Sequence, residues 1–533
     1  MKKFIKKIKS NKFLYILSVL IVGVFLALIF RITYAFLAPI INEAQSNIAI
    51  KGDTVDEFKL KVGNPLKLDA TPTTLKENGT NYVTSTTATA SLKANSTKNT
   101  ATYNYYLYFE IENNTFTYTD GSTPEIILTV SNPNGEEITS IDGLTYGTFI
   151  GVSGFDITTQ SGLFNIANNY QITSNSSTTF TNQVWNITLT YLNLSVDQSG
   201  NFGKTMGVNV YLQKDKMLQS ITDVCTNGDN LATCISTLGT QGKSDITKIY
   251  YHDSSLTNGA GDNSYRYAGA NPNNFVCFGS TLSPCPTDNL YRIIGVFGDQ
   301  VKLIKYDYAN SNLLGNDGDY QGTGTPDSSY YKGSLTTVNK YFWNYKATNS
   351  ATNTWSTSLL NKTNLNTNFI TNIGTEWAQK IAMTTWKVGG NTWANIGTQP
   401  AKTAYQNEIV SPVTTNTTDG ATECSAKIGL MYASDYGFAA AQSAWTSNLF
   451  NYNGEAIKNA NWMYMGFYEW TISRNADNSN IAFYVYYTGL VHNYYVDSHD
   501  VNYISGVRPS FNLLSSTTYV SGSGSASDPM IIN

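Results

Sequence analysis

Eighteen consecutive residues, Phe13 to Phe30, carry no charge, and they follow a start, Met1 to Lys12, that holds six lysines and no acid. At a helical rise of 1.5 Å per residue such a run nearly crosses a hydrocarbon core, and apolar residues resume beyond Arg31 from Ile32 to Ile41. Lysines ahead of the span hold the N-terminus inside, so the chain past about residue 40 is expected outside the cytoplasm. A helix in a soluble core ordinarily keeps a polar face, which this run lacks. Thr33-Tyr34-Ala35 also offers a small-residue cleavage site, so residues 1–44 read as a single-pass anchor in the cell membrane or as a signal peptide. Both send the bulk to the same side.

The remainder, residues 45–533, is too long for one core, and about two to four domains are expected. Only 14% of residues are charged and the formal net charge is -4. Without a basic surface to attract a phosphate backbone, nucleic acid is excluded as a partner. Abundant Thr and Tyr favour strands. Cysteine usage fits export: Cys225 and Cys234 lie nine apart, Cys277 and Cys285 eight apart, and Cys424 stands alone. In an oxidising compartment the two close pairs are expected to form local disulfides. Neither spacing is that of a zinc knuckle, and His252, His492 and His499 are not placed to complete one, so no metal site is expected from them.

From 45 to 215 the chain alternates short apolar and polar runs bounded by Asn, Gly, Ser and Pro, as in Tyr103–Ile111, Glu125–Val130, Val184–Leu192 and Met206–Leu212. This predicts an all-β sandwich, without a catalytic cluster, acting as a stalk. Between 216 and 245, Met217, Leu218, Ile221 and Val224, then Leu231, Ile235 and Leu238, fall at helical spacing around the first cysteine pair. That predicts a helical hairpin linker clamped by the Cys225–Cys234 bridge. From 246 to 533 the composition turns aromatic. Leu290–Phe297 and Val301–Tyr306 flank the turn pair Gly298-Asp299 and predict a hairpin. Leu365, Phe369, Ile373, Trp377 and Ile381 recur every four residues and predict one helix; Ser434-Asp435 offers an N-cap for another, Tyr436–Trp445. Helices followed by a strand-rich end make this part α+β.

Three segments then stand out: Leu290-Tyr291-Arg292-Ile293-Ile294-Gly295-Val296, Glu469-Trp470-Thr471-Ile472-Ser473 and Gly506-Val507-Arg508-Pro509-Ser510-Phe511. In this order they resemble the C-type lectin-like domains related to formylglycine-generating enzymes, as found in surface proteins of gut Firmicutes and in variable proteins of diversity-generating retroelements. The resemblance covers residues 246–533 and implies a multidomain chain: N-terminal transmembrane helix, all-β sandwich, then an α+β C-type lectin-like binding domain. It places Trp470, Gly506, Arg508 and Pro509 in a rigid scaffold, and it makes the stretch between the Trp strand and the Gly-x-Arg-Pro strand an exposed binding face.

That stretch, Tyr484 to Tyr503, has thirteen of its twenty residues drawn from Tyr, Asn, Asp, His and Ser, and no Lys, Glu, Gln, Trp or Met occurs from Thr471 to Pro529. Adenine-directed mutagenesis of AAY codons, which the resemblance implies, reaches the first set and cannot encode the second. The candidate ligand-binding residues are Tyr484, Tyr486, Tyr487, His492, Asn493, Tyr494, Tyr495, Asp497, Ser498, His499, Asp500, Asn502 and Tyr503. Tyrosine supplies contact area at low entropy cost, and Ser, Asn and Asp supply adaptable hydrogen bonds, which is paratope chemistry. Against this stands the reading that Tyr484, Tyr486 and Tyr494 are ordinary strand residues packed on a sheet.

The enzymes of the implied family use a cysteine pair late in the domain, and here only Cys424 is available, so no enzymatic activity is expected. No nucleophile elbow, zinc-protease helix, phosphate loop or EF-hand spacing is present. Asp262-Asn263 and Asn316-Asp317-Gly318-Asp319 could hold calcium, the one ion the sequence leaves open. The expected function is binding of an extracellular protein or glycan; a structural envelope component and a degenerate enzyme are the alternatives.

Overall fold

Alternating burial along the first long strands shows how the pattern becomes a sheet. In Tyr82–Lys93, Thr86, Ala88, Ala90 and Leu92 point inward while Val83, Ser85 and Thr87 face solvent. Across the ladder Ala88 pairs with Trp185, a small residue opposite a large one, so the ring fills the space without strain. The computed structural model describes residues 55–533 apart from 65, 67, 69–78, 113, 346–351, 413–421 and 496–503. The expected membrane segment, 1–44, lies outside the described residues; among those described, no helix is long and apolar enough to cross a membrane.

The chain divides into two compact units between Met217 and Leu218. In the first, a six-stranded antiparallel sheet runs in the order Glu57–Val62, Tyr82–Lys93, Thr181–Tyr191, Ile126–Ser131, Val152–Asp156, Thr145–Phe149. A three-stranded sheet, Gly162–Ser174, Ala101–Glu112, Gly207–Gln213, shares one apolar core with it, as a sandwich requires. Buried polar groups in that core are paired: Trp185 Nε1 donates to the Tyr105 hydroxyl (2.8 Å), which donates to Gln183 Oε1 (2.9 Å). Fully buried Glu125 accepts from Gln198 Nε2 (2.9 Å), Asn201 Nδ2 (3.0 Å) and the Tyr191 hydroxyl (3.3 Å), stapling the loop at 198–201 to the core.

The second unit is built mainly of sheet, with short helices. Its largest sheet follows the path Ile428–Gly429, Ser510–Asn512, Gln300–Lys305, Leu290–Phe297, Phe275–Cys277, Met530–Ile532, Tyr519–Ser521, with Ile249–His252 and Ser264–Tyr267 branching from Leu290–Phe297. The predicted hairpin is present: Phe297 pairs with Gln300 across Gly298-Asp299, and Gly298 takes φ +64°, a conformation glycine adopts without steric cost. Four further strands, Gly390–Asn391, Glu469–Asn475, Ile481–Val485 and Val491–Tyr495, form a separate sheet.

Both expected cysteine pairs form. Cys225 and Cys234 have Cα atoms 5.6 Å apart, Cys277 and Cys285 5.8 Å apart, and half-buried Cys424 stays outside both bridges. The 216–245 segment holds one 3-10 turn, Ile221–Asp223, one helix, Leu231–Gln241, and the start of a short helix, Ser244–Thr247, rather than a hairpin of two helices around the bridge. From Leu218 onward it belongs to the second unit: Ile221, Cys225, Leu231, Ile235 and Leu238 sit in that unit's core, so it is packed structure and not a free linker. Gly228 N donates to the Tyr519 carbonyl (2.8 Å) and Leu231 N to that of Thr517 (3.0 Å), which ties the beginning of the unit to its end.

Two helical expectations change. Leu365, Phe369, Trp377 and Ile381 are buried as their spacing demands, but the backbone is a π-helix over Leu360–Phe369, an α-turn at Ile370–Asn372, a break at Gly374 (φ +85°) and a further turn at Thr375–Gln379. A four-residue apolar repeat drifts on a 3.6-residue helix, and the wider turn accommodates it. Asn side chains also pull outward there: Asn364 Nδ2 donates to the Leu314 carbonyl (2.8 Å) and Asn366 Nδ2 to that of Ile428 (3.0 Å). The second helix is Ala433–Phe438, not Tyr436–Trp445; Asp435 lies in its first turn and accepts from Tyr432 N (3.0 Å), so Ser434 is inside the helix and not its cap.

Candidate functional site

Strand Glu469–Asn475 is buried at every position and Ile481–Val485 at all but its first, so this sheet is covered on both faces. A doubly covered sheet needs apolar or fully paired residues on each side, which removes the in–out alternation on which a one-faced reading relies. Trp470, Tyr484 and His492 stand in one cross-strand row. Trp470 is 1% exposed and its Nε1 donates to the Tyr341 carbonyl (2.9 Å).

The scaffold residues converge beside it. Arg508 Nε donates to Glu469 Oε1 (2.8 Å), Nη2 to the Met463 carbonyl (2.7 Å) and Nη1 to the Tyr306 carbonyl (3.4 Å). Burial pushes the Glu469 carboxyl up, against the pull of the Arg508 guanidinium. A Cβ on Gly506 would come 2.5 Å from the Tyr308 ring, so only glycine lets that ring lie on the backbone. Pro509 is buried, and its carbonyl accepts from Lys305 N (3.0 Å).

The candidate face divides. Tyr484, 4% exposed, packs edge-on to Trp470 with ring centroids 5.8 Å apart; it is core, and its place among ligand-binding residues is corrected accordingly. Tyr486, Tyr487, His492, Asn493 and Tyr494 are half-buried. Tyr486 N donates to the Leu490 carbonyl (2.8 Å) and Gly489 N to that of Tyr486 (2.8 Å), closing the turn that presents Tyr486 and Tyr487. His492 is wedged between Trp393 (5.1 Å) and Phe450 (5.9 Å). Tyr495 ends the outer strand of the sheet. Asp497, Ser498, His499, Asp500, Asn502 and Tyr503 lie outside the described residues.

Rings from elsewhere join the cluster. Tyr468 lies 5.0 Å from Tyr486 and 5.4 Å from Tyr487, and Tyr330 lies 5.2 Å from Tyr487. Sequence reasoning missed both. Tyr468 precedes the Trp470 segment by one residue and could have been included, whereas Tyr330 comes from a loop more than 150 positions upstream of Tyr487. The result is a patch of amphipathic rings with hydroxyl tips.

Acids that the sequence offered to calcium hydrogen-bond within the chain. Asp262 accepts from Arg266 Nη2 (2.6 Å) and Ser264 Oγ (2.6 Å); burial pushes its carboxyl up, but the guanidinium holds it at about 2. Asp319 accepts from Tyr345 N (2.8 Å) and Leu360 N (2.6 Å), and Asp317 Oδ1 from Asn368 Nδ2 (2.7 Å). Among the described residues, one group of Cys, His and acids is close enough to share an ion, Cys225, Asp229 and Cys234, and its sulfurs are joined in a disulfide.

Sequence reasoning also missed a buried ionic network. Asp435 accepts from Lys302 Nζ (2.6 Å) and lies 3.5 Å from Arg266 Nη1; nearby, Glu408 accepts from Ala433 N (3.1 Å), Ser434 N (3.0 Å) and the Ser473 hydroxyl. Burial pushes Glu408 up to about 7 and Asp319 likewise to about 7. Both values exceed the unfolded ones near 4, so these two groups bind more protons in the folded chain between roughly pH 4 and 7. The stability these groups contribute is full below about pH 4 and lost as pH rises through about 7. Buried His252 is pushed down and acts in the opposite sense, so the test is a difference: Glu408→Gln is expected to raise the urea midpoint of the second unit over the parent more at pH 8 than at pH 5, and an equal difference at both would show that Glu408 is ionised throughout.

Comparison of the chain with models of known protein families, with characterised proteins and with solved structures finds no match.

Proposed function

We propose that the chain is a membrane-anchored surface protein, held by residues 1–44, whose second unit is a C-type lectin-like domain that binds an extracellular protein or glycan through a diversified face around Tyr486–Tyr503. The first unit serves it as a β-sandwich spacer. One observation carries the reading: Trp470 of this sheet and Arg508 beside it are sealed in the core, while the sheet's adjoining turn and outer strand offer half-buried Tyr486, Tyr487, His492, Asn493 and Tyr494. A rigid frame beside an adaptable polar–aromatic edge is the division of labour that paratopes use. The missing Lys, Glu, Gln, Trp and Met from Thr471 to Pro529 supports diversification in particular. Copies of the gene from sibling isolates are expected to differ mainly at Tyr, Asn, Asp, His and Ser positions between Tyr486 and Tyr503 and to keep Trp470, Gly506 and Arg508. Differences spread evenly along the unit would remove the basis for a diversified face.

A further inference from the structure

A cavity of about 300 Å³ opens in the second unit, lined among others by Arg292, Trp462, Tyr464, Lys332 and Lys458. Arg292 is 3% exposed, and its three hydrogen-bond acceptors are neutral: Asn274 Oδ1 (2.7 Å) and the carbonyls of Pro272 (3.0 Å) and Trp462 (3.3 Å). Among the described residues it has no ion-pair partner, whereas buried Arg266, Lys302 and Arg508 each have a carboxylate. The guanidinium is fixed between the Phe275 ring (4.3 Å) and the Trp462 ring (4.7 Å). Burial lowers its proton affinity to about 9, so it stays charged at neutral pH. A buried, pinned, uncompensated cation that lines a cavity is a half-made ion pair.

The rim adds to it. Exposed Lys332 is tied by its backbone N–H to the Met465 carbonyl (2.9 Å), and Lys458, already paired with Glu455 (2.5 Å), lies over the Tyr330 ring (5.3 Å). Trp462 and Tyr464 line it too, but both rings are buried and the Arg292 guanidinium lies over Trp462, so the cavity's recognition is by charge. The volume is at the small end of the ~300–1,000 Å³ seen for ligand sites, enough for one sugar-sized unit rather than a peptide segment. The Tyr464 hydroxyl donates to the Tyr487 carbonyl (2.8 Å), so the cavity adjoins the turn of the candidate face.

We infer that this cavity receives a single acidic sugar unit of a glycan, its anionic group paired with Arg292 and Lys332. The inference rests on the binding function proposed above and gives it a ligand class. The test is a ligand-observed NMR titration of the full chain with glucuronic acid, glucose 6-sulfate, the methyl ester of glucuronic acid, and glucose. At least one acidic sugar is expected to bind about tenfold or more tightly than both neutral ones, and the tighter acid identifies carboxylate or sulfate ester as the anionic group. Arg292→Gln and, independently, Lys332→Glu are each expected to weaken that binding by about tenfold; Lys332 is exposed, so its variant reports even where the buried Arg292 variant does not fold. Equal binding of acidic and neutral sugars, no binding of either acid at ~10 mM, or indifference to Lys332→Glu would overturn the inference. The double variant Tyr487→Ala/Asn493→Ala is expected to keep monosaccharide binding. Loss of large-ligand capture in that variant, with no monosaccharide binding by the parent chain, would leave the face and remove the cavity; the converse would leave the cavity and remove the face.

Discussion

Replacing Arg508 with methionine is expected to destabilise the second unit by about 3–5 kcal/mol, the range for stripping one partner from a buried ion pair. Arg508 is 1% and Glu469 2% exposed, so the stranded carboxylate has no water to turn to. The Met463 and Tyr306 carbonyls lose their donor as well. The variant carries its own pH signature. Glu469 is already pushed up by burial while Arg508 pulls it down, and without the guanidinium it rises further. A raised carboxyl contributes stability at low pH that is lost as pH climbs through its folded pKa, so the deficit is expected to widen from pH 5 to pH 8. Adding Glu469→Gln should recover part of it, because the pair is coupled. Chemical denaturation checks this; a loss under about 1 kcal/mol, typical of solvated pairs, would show that the pair is not sealed.

Trp470→Ala is expected to cost about 3–5 kcal/mol, as truncation of core aromatics does, and to leave the Tyr341 carbonyl with the Ser505 N–H (3.3 Å) alone. At roughly 2–4 °C per kcal/mol for domains of this order, the melting temperature should drop by on the order of 10 °C. Tyr484→Ala should behave the same way, since Tyr484 occupies the next place in the same buried row. Tyr487→Ala and Asn493→Ala, on half-buried positions of the turn and outer strand, should each stay near the ~0.5 kcal/mol of surface changes. Thermal melts of these variants in the full chain decide it: a Tyr484 variant that melts like the Tyr487 variant would mean the row is open.

Much of the first unit was legible because its strands have one face in a shared core, so the pattern of Tyr82–Lys93 or Thr181–Tyr191 reports burial directly. The two disulfides were legible because their partners are close in sequence. In the second unit the resemblance and the Tyr-rich composition put Tyr484 on the face, whereas a strand covered on both sides buries it. The apolar repeat from Leu365 to Ile381 identified buried residues correctly yet misjudged the helix, because hydrophobic spacing fixes which side is inward and not how widely the backbone is wound. Arg266 meets Asp435 across 169 positions and Trp470 reaches Tyr341 across 129, and no local pattern encodes such pairings. The uncompensated charge of Arg292 was equally invisible, although the residue stood inside a segment the sequence singled out.

The most direct measurement is capture on protein and glycan arrays by the full chain, beside the Tyr487→Ala/Asn493→Ala variant and Trp470→Ala, with a melting curve for each. The account predicts that the parent chain captures a defined ligand, that the double variant melts with the parent and loses capture by at least about tenfold, and that Trp470→Ala loses both fold and capture. A double variant that captures as well as the parent would contradict it, and so would one that melts as low as Trp470→Ala.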